Sequence, residues 1–294
     1  MREIRVFAPS KLNLYLDVLE KRPDGFHNIE TIFEKIDLKD EIIIKEKGKG
    51  LRVRTLPSNC SQGKENIAHK AAREIFKEAG VELNLDIKIK KLIPVSAGLG
   101  GGSSDAAAVL KAINEIFKLG IPPKRLFAIA CNIGKDVPFF MRDSSFAVAR
   151  GAGEILERIN LDKVLFHIVI KPSISLSTRL MYKRIDRSSF SSKQHSIKSA
   201  LCALKTKSVT ALEENYYNIF ENVLAGNAAH IIKVKALLAE AGVKRSLLSG
   251  SGPTVFCSFE TRGDAEKVFK KISGNINIEV FLAKTYKGGI YGDN

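Results

Sequence analysis

The sequence predicts an α+β fold in two domains, and three observations lead to it. Strand-like and helix-like patterns alternate along the whole chain without internal repeats. One strand pattern, at 85–90, runs straight into a glycine-dense turn and then an amphipathic helix. The patterning breaks once, over Arg158, Ile159, Asn160, Leu161, Asp162 and Lys163. That break divides an N-terminal domain at 1–160 from a C-terminal domain at 161–294. A length of 294 residues suits about two domains, and 45% hydrophobic residues suffice for a sizeable core in each.

From the start, residues 4–18 read as two strands, with Leu12, Leu14, Leu16 and Val18 on one face and Lys11 and Asn13 together on the other. Pro23, Asp24 and Gly25 are turn residues, so Phe26 and His27 follow a loop. Ile42, Ile43 and Ile44 form a buried strand, and 64–79 an amphipathic helix ended by Gly80. After the glycine turn, Ser103 or Ser104 is a suitable N-cap for a helix carrying Val109, Ile113, Ile116 and Phe117 at helical spacing, with Gly120 as its stop. Pro122 and Pro123 open another helix, and Asp136 lies between the glycine that ends it and Pro138. Beyond the break come a strand at 164–170, a Ser-rich mobile loop at 188–196, and helices at 196–204, 209–224 and 228–241. A strand–helix–strand unit at 254–285 completes the chain.

The stretch 94–108, Pro-Val-Ser-Ala-Gly-Leu-Gly-Gly-Gly-Ser-Ser-Asp-Ala-Ala-Ala, carries the chemistry. Glycines allow sharp turns and close approach, and the free N–H groups of a first helical turn together with the helix dipole attract anions. It is not a Walker A loop, because Ser103 stands where Lys is needed, and it fails the dinucleotide fingerprint, whose third glycine would fall on Ser103. A flexible Gly/Ser linker would not be bracketed by a patterned strand and an amphipathic helix.

Charge offers a rival reading. Lys and Arg total 47 against 32 Asp and Glu, a net +15, with a pI near 9.6, which would suit a nucleic-acid binder. The basic residues are spread in short groups without aromatic interleaving, and polyanionic small substrates account for them equally well. Cys60, Cys131, Cys202 and Cys257 are scattered without CxxC spacing, so neither a zinc site nor a disulfide framework is expected, and a reducing cytoplasm fits. The five histidines are dispersed and suggest no metal site. No apolar run is long enough to cross a membrane, and residues 1–6 already alternate like a strand, so no targeting segment is expected.

The stretch 94–108 resembles the central motif of the GHMP small-molecule kinases. Three further blocks resemble one branch of that family: Ala8-Pro9-Ser10-Lys11-Leu12-Asn13-Leu14, Arg22-Pro23-Asp24-Gly25-Phe26-His27 and Gly134-Lys135-Asp136-Val137-Pro138-Phe139-Phe140. Residues 248–256 are similar to the family's C-terminal glycine motif, and the blocks follow one another in the family's order from residue 8 to 256. The resemblance implies a GHMP kinase fold with an N-terminal unit like the second domain of a small-subunit ribosomal protein, a ferredoxin-like α/β C-terminal unit, and an active site in the interdomain cleft. It further implies ATP as co-substrate, Mg²⁺ held mainly by the nucleotide phosphates, and an alcohol acceptor carrying a cytidyl diphosphate. A monomer or weak homodimer without nucleic-acid or membrane partners is expected.

By the same resemblance, Asp136 is the general base for the acceptor hydroxyl and Lys11 the cation beside it. Each also has a plainer reading, as a helix-flanking carboxylate and a solvated edge lysine. Pro94, Gly98, Leu99, Gly100, Gly101, Gly102, Ser103 and Ser104 would hold ATP phosphates or Mg²⁺. Asn66 and Lys91 would contact the adenine end, although Asn66 also reads as a helix cap and Lys91 as a solvated strand residue. Asn13, Phe26, His27, Asp136, Tyr182, Gly250, Ser251 and Gly252 would bind the acceptor, Phe26 standing where this branch more often has Tyr. A core aromatic at 182 and a surface histidine at 27 are the plainer readings there. Another GHMP kinase, acting on a homoserine- or mevalonate-like alcohol, and a nonenzymatic RNA-binding protein are the alternatives.

Overall fold

The computed structural model describes residues 2–58, 60–82, 84–186, 195–206, 208–275 and 277–291. Of the Ser-rich stretch at 188–196, only His195 and Ser196 fall among them. The first sheet contains β1 (Glu3–Lys21), β2 (His27–Glu46), β3 (Leu51–Leu56), β4 (Leu85–Lys90), β5 (Phe146–Arg150) and β6 (Ile155–Ile159). Helices α1 (Ile67–Ala79), α2 (Gly101–Ile116), α3 (Pro123–Ile133) and α4 (Val137–Met141) accompany it. Then follow β7 (Phe166–Pro172), α5 (Thr178–Ile185), α6 (Ile197–Lys205), α7 (Val209–Glu214), β8 (Tyr217–Asn218) and α8 (Ala228–Glu240). The chain finishes with β9 (Leu247–Leu248), β10 (Val255–Phe259), α9 (Arg262–Ile272) and β11 (Ile278–Lys284).

The first sheet has the order β3-β4-β2-β1-β8, with β5 on another part of β2 and β6 beyond it. The second is the antiparallel β11-β7-β10-β9. Its strands all come from the C-terminal half, whereas β8 joins the first sheet in parallel with β1, Tyr15 opposite Tyr217.

Four local expectations change. Residues 4–18 form one long strand rather than two, because bulges between Pro9 and Ser10 and between Asn13 and Tyr15 bend β1 without ending it. The first helix starts at Ile67, later than 64, since Asn66 accepts the Ala68 N–H and caps it there. The helix after the glycine turn starts at Gly101 on a left-handed Gly100, so Ser103 and Ser104 lie inside its first turn; it ends at Ile116, before Gly120, with Lys118 itself left-handed. The helix expected at 209–224 stops at Glu214. Beyond it Tyr217 pairs with β1, and the Asn218 amide donates to the Leu248 and Gly250 carbonyls while accepting the Phe220 N–H. These tertiary bonds outweigh helical propensity.

One apolar cluster packs α1 to α4 on the first sheet through Val6, Ile42, Ile87, Ala72, Val109 and Phe139. A second runs from Leu12, Ile32, Ile36 and Phe146 of the first sheet into Ile168, Val169 and Phe256 of the second. Within that seam the fully buried Glu34 accepts from Thr285 Oγ1 at 2.6 Å and meets His167 Nε2 at 3.1 Å, and His167 Nδ1 lies 2.9 Å from Ser258 Oγ. Among the described residues no helix is long and apolar enough to cross a membrane, and the four cysteines form no disulfide.

Lys35 of β2 is also buried, its ammonium donating to the Arg142 carbonyl and lying 5.2 Å from the Phe139 ring centre. Burial, helped by like charge on Lys111 and opposed by Asp143, pulls its pKa down to about 7. Above that pH the folded chain has released a proton that the unfolded chain keeps to about pH 10.4, so stability rises with pH across this window. Lys35→Met is therefore expected to raise the urea midpoint most at pH 6 and little at pH 10. At about 1.36 kcal/mol per pH unit the gain is bounded by roughly 5 kcal/mol, less the lost hydrogen bond. A gain independent of pH would contradict this account.

Candidate active site

β1 brings Lys11 and Asn13 to one side as its alternation requires, and Lys11 Nζ donates to Asn13 Oδ1 at 2.5 Å. The Asn13 amide donates in turn to Thr31 Oγ1 at 2.8 Å, and Thr31 to the Tyr15 carbonyl at 2.6 Å, which fixes the pair across two strands. Asp136 approaches from the N-cap of α4, its carboxylate 3.9 Å from Lys11 Nζ and one-third exposed while the lysine is buried. Burial lowers the Lys11 pKa from the ordinary lysine value, and the Asp136 carboxylate acts in the opposite direction. Both groups line a cleft of about 720 Å³.

The glycine turn is the second wall. Gly98, Gly100 and Ser103 line both this cleft and an adjoining cavity of about 370 Å³, whose lining includes Pro94, Leu99, Gly101, Gly102, Asn66 and Lys91. The Leu99 carbonyl accepts the Lys11 backbone N–H at 2.9 Å, so the loop is tied to the lysine strand. Because Gly100 caps α2 without a side chain, no side-chain oxygen takes the cap bond to the first-turn N–H groups. Ser104 points into the fold, its Oγ buried without a partner. Gly250 and Ser251 line the cleft from the other half of the chain, and Gly252 lies just behind against Leu176 and Leu248.

Gly98 is the tightest point. Its φ is +78°, and a Cβ there would stand 2.3 Å from the Ser249 carbonyl, while Ser249 Oγ donates to the Gly98 carbonyl at 3.2 Å. Gly101 is helical, so a side chain there would crowd Ile93 and Lys91 without left-handed strain. Gly98→Ala is expected to cost about 1–3 kcal/mol of stability from backbone strain alone and to remove most of the ATP-dependent rise in Tm. Melting curves with and without ATP measure both, and a full ATP-dependent rise would show that this loop does not hold the nucleotide.

Lys91 and Asn66 adjoin the loop, but their polar groups are already engaged. Lys91 Nζ binds Asp40 Oδ2 at 2.5 Å and Asp105 Oδ2 at 2.8 Å, while Asp40 Oδ1 accepts the Leu92 and Ile93 N–H groups. Burial pushes the Asp105 carboxyl well up. Burial alone would lower the Lys91 ammonium, but Asp105 and Asp40 hold it above the ordinary value. Asn66 caps α1 with its carbonyl and gives its amide to Thr55 Oγ1 and the Ser61 carbonyl.

At the other end of the cleft, the turn before Phe26 is held by Arg22, which pairs with Asp24 at 2.8 Å and Glu154 at 3.1 Å. Phe26 is half exposed, with Lys135 Nζ 4.5 Å from its ring centre. His27 is buried rather than superficial. Its ring stacks on Tyr182 at 5.1 Å, and its Nε2 lies 2.7 Å from Asp186 Oδ1. Asp186 also binds Lys21 at 2.7 Å, and these two partners, Lys21 first, keep its pKa low. Burial, and secondarily Asp136, pushes the Tyr182 phenol up. Asp40, Asp105, Asp186 and Lys135 escaped the sequence reading. Lys135, beside Asp136, and Asp105, in the glycine stretch, stood in quoted blocks that would have found them, whereas Asp40 and Asp186 carried no such signal.

Comparison with known proteins gives this cleft a lineage. Residues 66–144 match the GHMP kinases N terminal domain and residues 201–277 the GHMP kinases C terminal domain. The 4-diphosphocytidyl-2-C-methyl-D-erythritol kinase of Alkaliphilus metalliredigens is 36% identical over 274 residues, covering 93% of this chain and 94% of its own length. That of Syntrophomonas wolfei is 36% identical over 285 residues, covering 97% and 99%. A crystal structure of 4-(cytidine 5'-diphospho)-2C-methyl-D-erythritol kinase superposes with a TM-score of 0.79 at 29% identity, covering 97% of this chain and all of that one. Methanococcus jannaschii mevalonate kinase shares the fold at 15% identity and a TM-score of 0.75, covering 97% and 99%. With both halves matched and full-length relatives above 30% identity, the chain belongs to the GHMP kinases, in their 4-diphosphocytidyl-2-C-methyl-D-erythritol kinase branch.

Proposed function

We propose that this chain transfers the γ-phosphoryl group of ATP to the 2-hydroxyl of 4-diphosphocytidyl-2-C-methyl-D-erythritol in the cytoplasm. The observation that carries the reading is the Lys11–Asp136 pair, 3.9 Å apart, set between the glycine loop and the pocket of Phe26 and His27. Phosphoryl transfer asks mainly for alignment and for stabilisation of spread negative charge. Asp136 takes the hydroxyl proton as the oxygen attacks phosphorus, and Lys11 steadies the charge that develops on the transferred group. Asn13, bonded to Lys11, orients the acceptor.

The loop from Gly98 to Ser103 receives the phosphates on backbone N–H groups. Lys91 and Asn66 support the nucleotide end by holding Asp105 on α2 and the start of α1 in place. Mg²⁺ fits as an ion carried by the nucleotide: among the described residues no group of three His, Cys, Asp or Glu could hold it, while the Ser103 hydroxyl and Asp136 carboxylate offer oxygen donors on the cleft wall. When bound it would neutralise β- and γ-phosphate charge.

For the acceptor, Phe26 stacks on cytosine and Gly250 and Ser251 close the opposite wall. With Nε2–H donated to Asp186, His27 presents Nδ1 as an acceptor, which suits the exocyclic amine of cytosine. Tyr182, stacked on His27, holds that ring in place. Release of ADP with the cytidyl substrate, methylerythritol, mevalonate and homoserine tests the assignment. Turnover of any of the last three as efficiently as the cytidyl substrate would overturn it.

A further inference from the structure

A cavity of about 940 Å³ lies where the end of α2, the start of α3, the segment after α4 and residues 289–291 meet, and it shares no lining residue with the cleft or the glycine-loop cavity. Lys111, Lys124, Arg142 and Arg158 line it against Glu115 and Asp143, an excess of two positive charges. The Asp143 side chain is 94% exposed where it meets Lys111 at 3.2 Å, and Glu115 is engaged by the Tyr291 phenol. Among the described residues Lys124, Arg142 and Arg158 have no carboxylate partner, and the Arg142 guanidinium instead lies 4.5 Å from the Phe127 ring centre.

Ser144, only 6% exposed, belongs to the wall of the cavity, and its Oγ is buried without a hydrogen-bond partner, a state such a group normally avoids. The buried Lys35 ties this wall to β2 by donating to the carbonyl of the lining residue Arg142. Leu126, Phe127, Met141 and Ile290 give the wall apolar surface, with Asn114 and Tyr291 beside them. Convergent cations beside apolar surface suit an anionic head with an apolar body better than a bare ion.

We propose that this cavity is a second ligand site, which takes a small organic phosphate or diphosphate whose apolar part lies along Phe127 and Ile290 and whose head meets Lys124 and Arg158. Hexyl diphosphate is the probe. It is titrated calorimetrically into the full chain whose cleft is already saturated with a non-hydrolysable ATP analogue and cytidine diphosphate. One equivalent should bind to the saturated protein. Affinity should fall at least about 10-fold in the double variant Lys124→Glu/Arg158→Glu, both exposed positions, while inorganic pyrophosphate should bind at least about 10-fold more weakly. Absence of binding, binding unchanged in the double variant, or pyrophosphate as tight as hexyl diphosphate would each overturn the proposal. So would sedimentation with phosphatidic acid vesicles in the absence of hexyl diphosphate binding, which would assign the cations to a membrane surface.

Discussion

Asp136→Asn is expected to lower kcat at least about 100-fold while leaving ATP affinity within a few-fold of wild type. The amide keeps the size of the carboxylate and its place at the N-cap of α4, so the fold and the glycine loop are untouched, while the ability to take a proton and the charge facing Lys11 are lost. Because Asp136 and Lys11 lie 3.9 Å apart and act on one hydroxyl, Lys11→Ala should also depress kcat, and the double variant should lose less than the product of the two. Steady-state kinetics with a thermal-shift control for ATP checks all three. A kcat within a few-fold of wild type in Asp136→Asn would remove it as the base.

Deleting the cytidyl group from the acceptor is expected to cost on the order of 10⁴-fold in kcat/KM, the penalty when a site built to hydrogen-bond one partner is offered a substrate lacking it. That site is prepared in advance. His27 is buried, stacked on Tyr182 and held through Nε2 by Asp186, itself tied to Lys21, so the ring neither turns nor finds a substitute partner when cytosine is missing. Phe26→Ala should weaken the cytidyl substrate far more than ATP, whereas Phe26→Tyr should be tolerated because the stacking face survives. Equal use of free methylerythritol would contradict the prediction.

Much of this site could be read before the fold was known, because it is written in short blocks. Alternation along β1 set Lys11 beside Asn13, and the glycine turn followed by an amphipathic helix marked the anion-binding end. What escaped is held by long-range contacts. Asp186 is 159 residues from His27, Asp40 reaches Lys91 across 51, and the Gly98–Ser249 contact spans 151. None of these pairs has a spacing or composition that reveals it. The helix expected at 209–224 failed for the same reason. Its apolar residues suit a helix locally, but Tyr217 and Asn218 are committed to β1 and to the carbonyls of the C-terminal glycine motif. Ser103 and Ser104 misled as caps because a glycine cap, Gly100, starts α2 three residues before the first of them.

The seam around Glu34 bears on how the molecule comes apart. A carboxylate with no exposure, bonded from one sheet to His167 and Thr285 in the other half of the chain, is stable only while both sheets are present, and the apolar residues beside it form a single cluster across the same boundary. Separating the halves would strip this carboxyl group of its partners and expose apolar surface on each side, so neither half has a melting transition of its own to show. Heating should therefore give one calorimetric peak, with equal calorimetric and van't Hoff enthalpies, and a chain severed at residue 160 should yield two fragments that regain structure only when mixed.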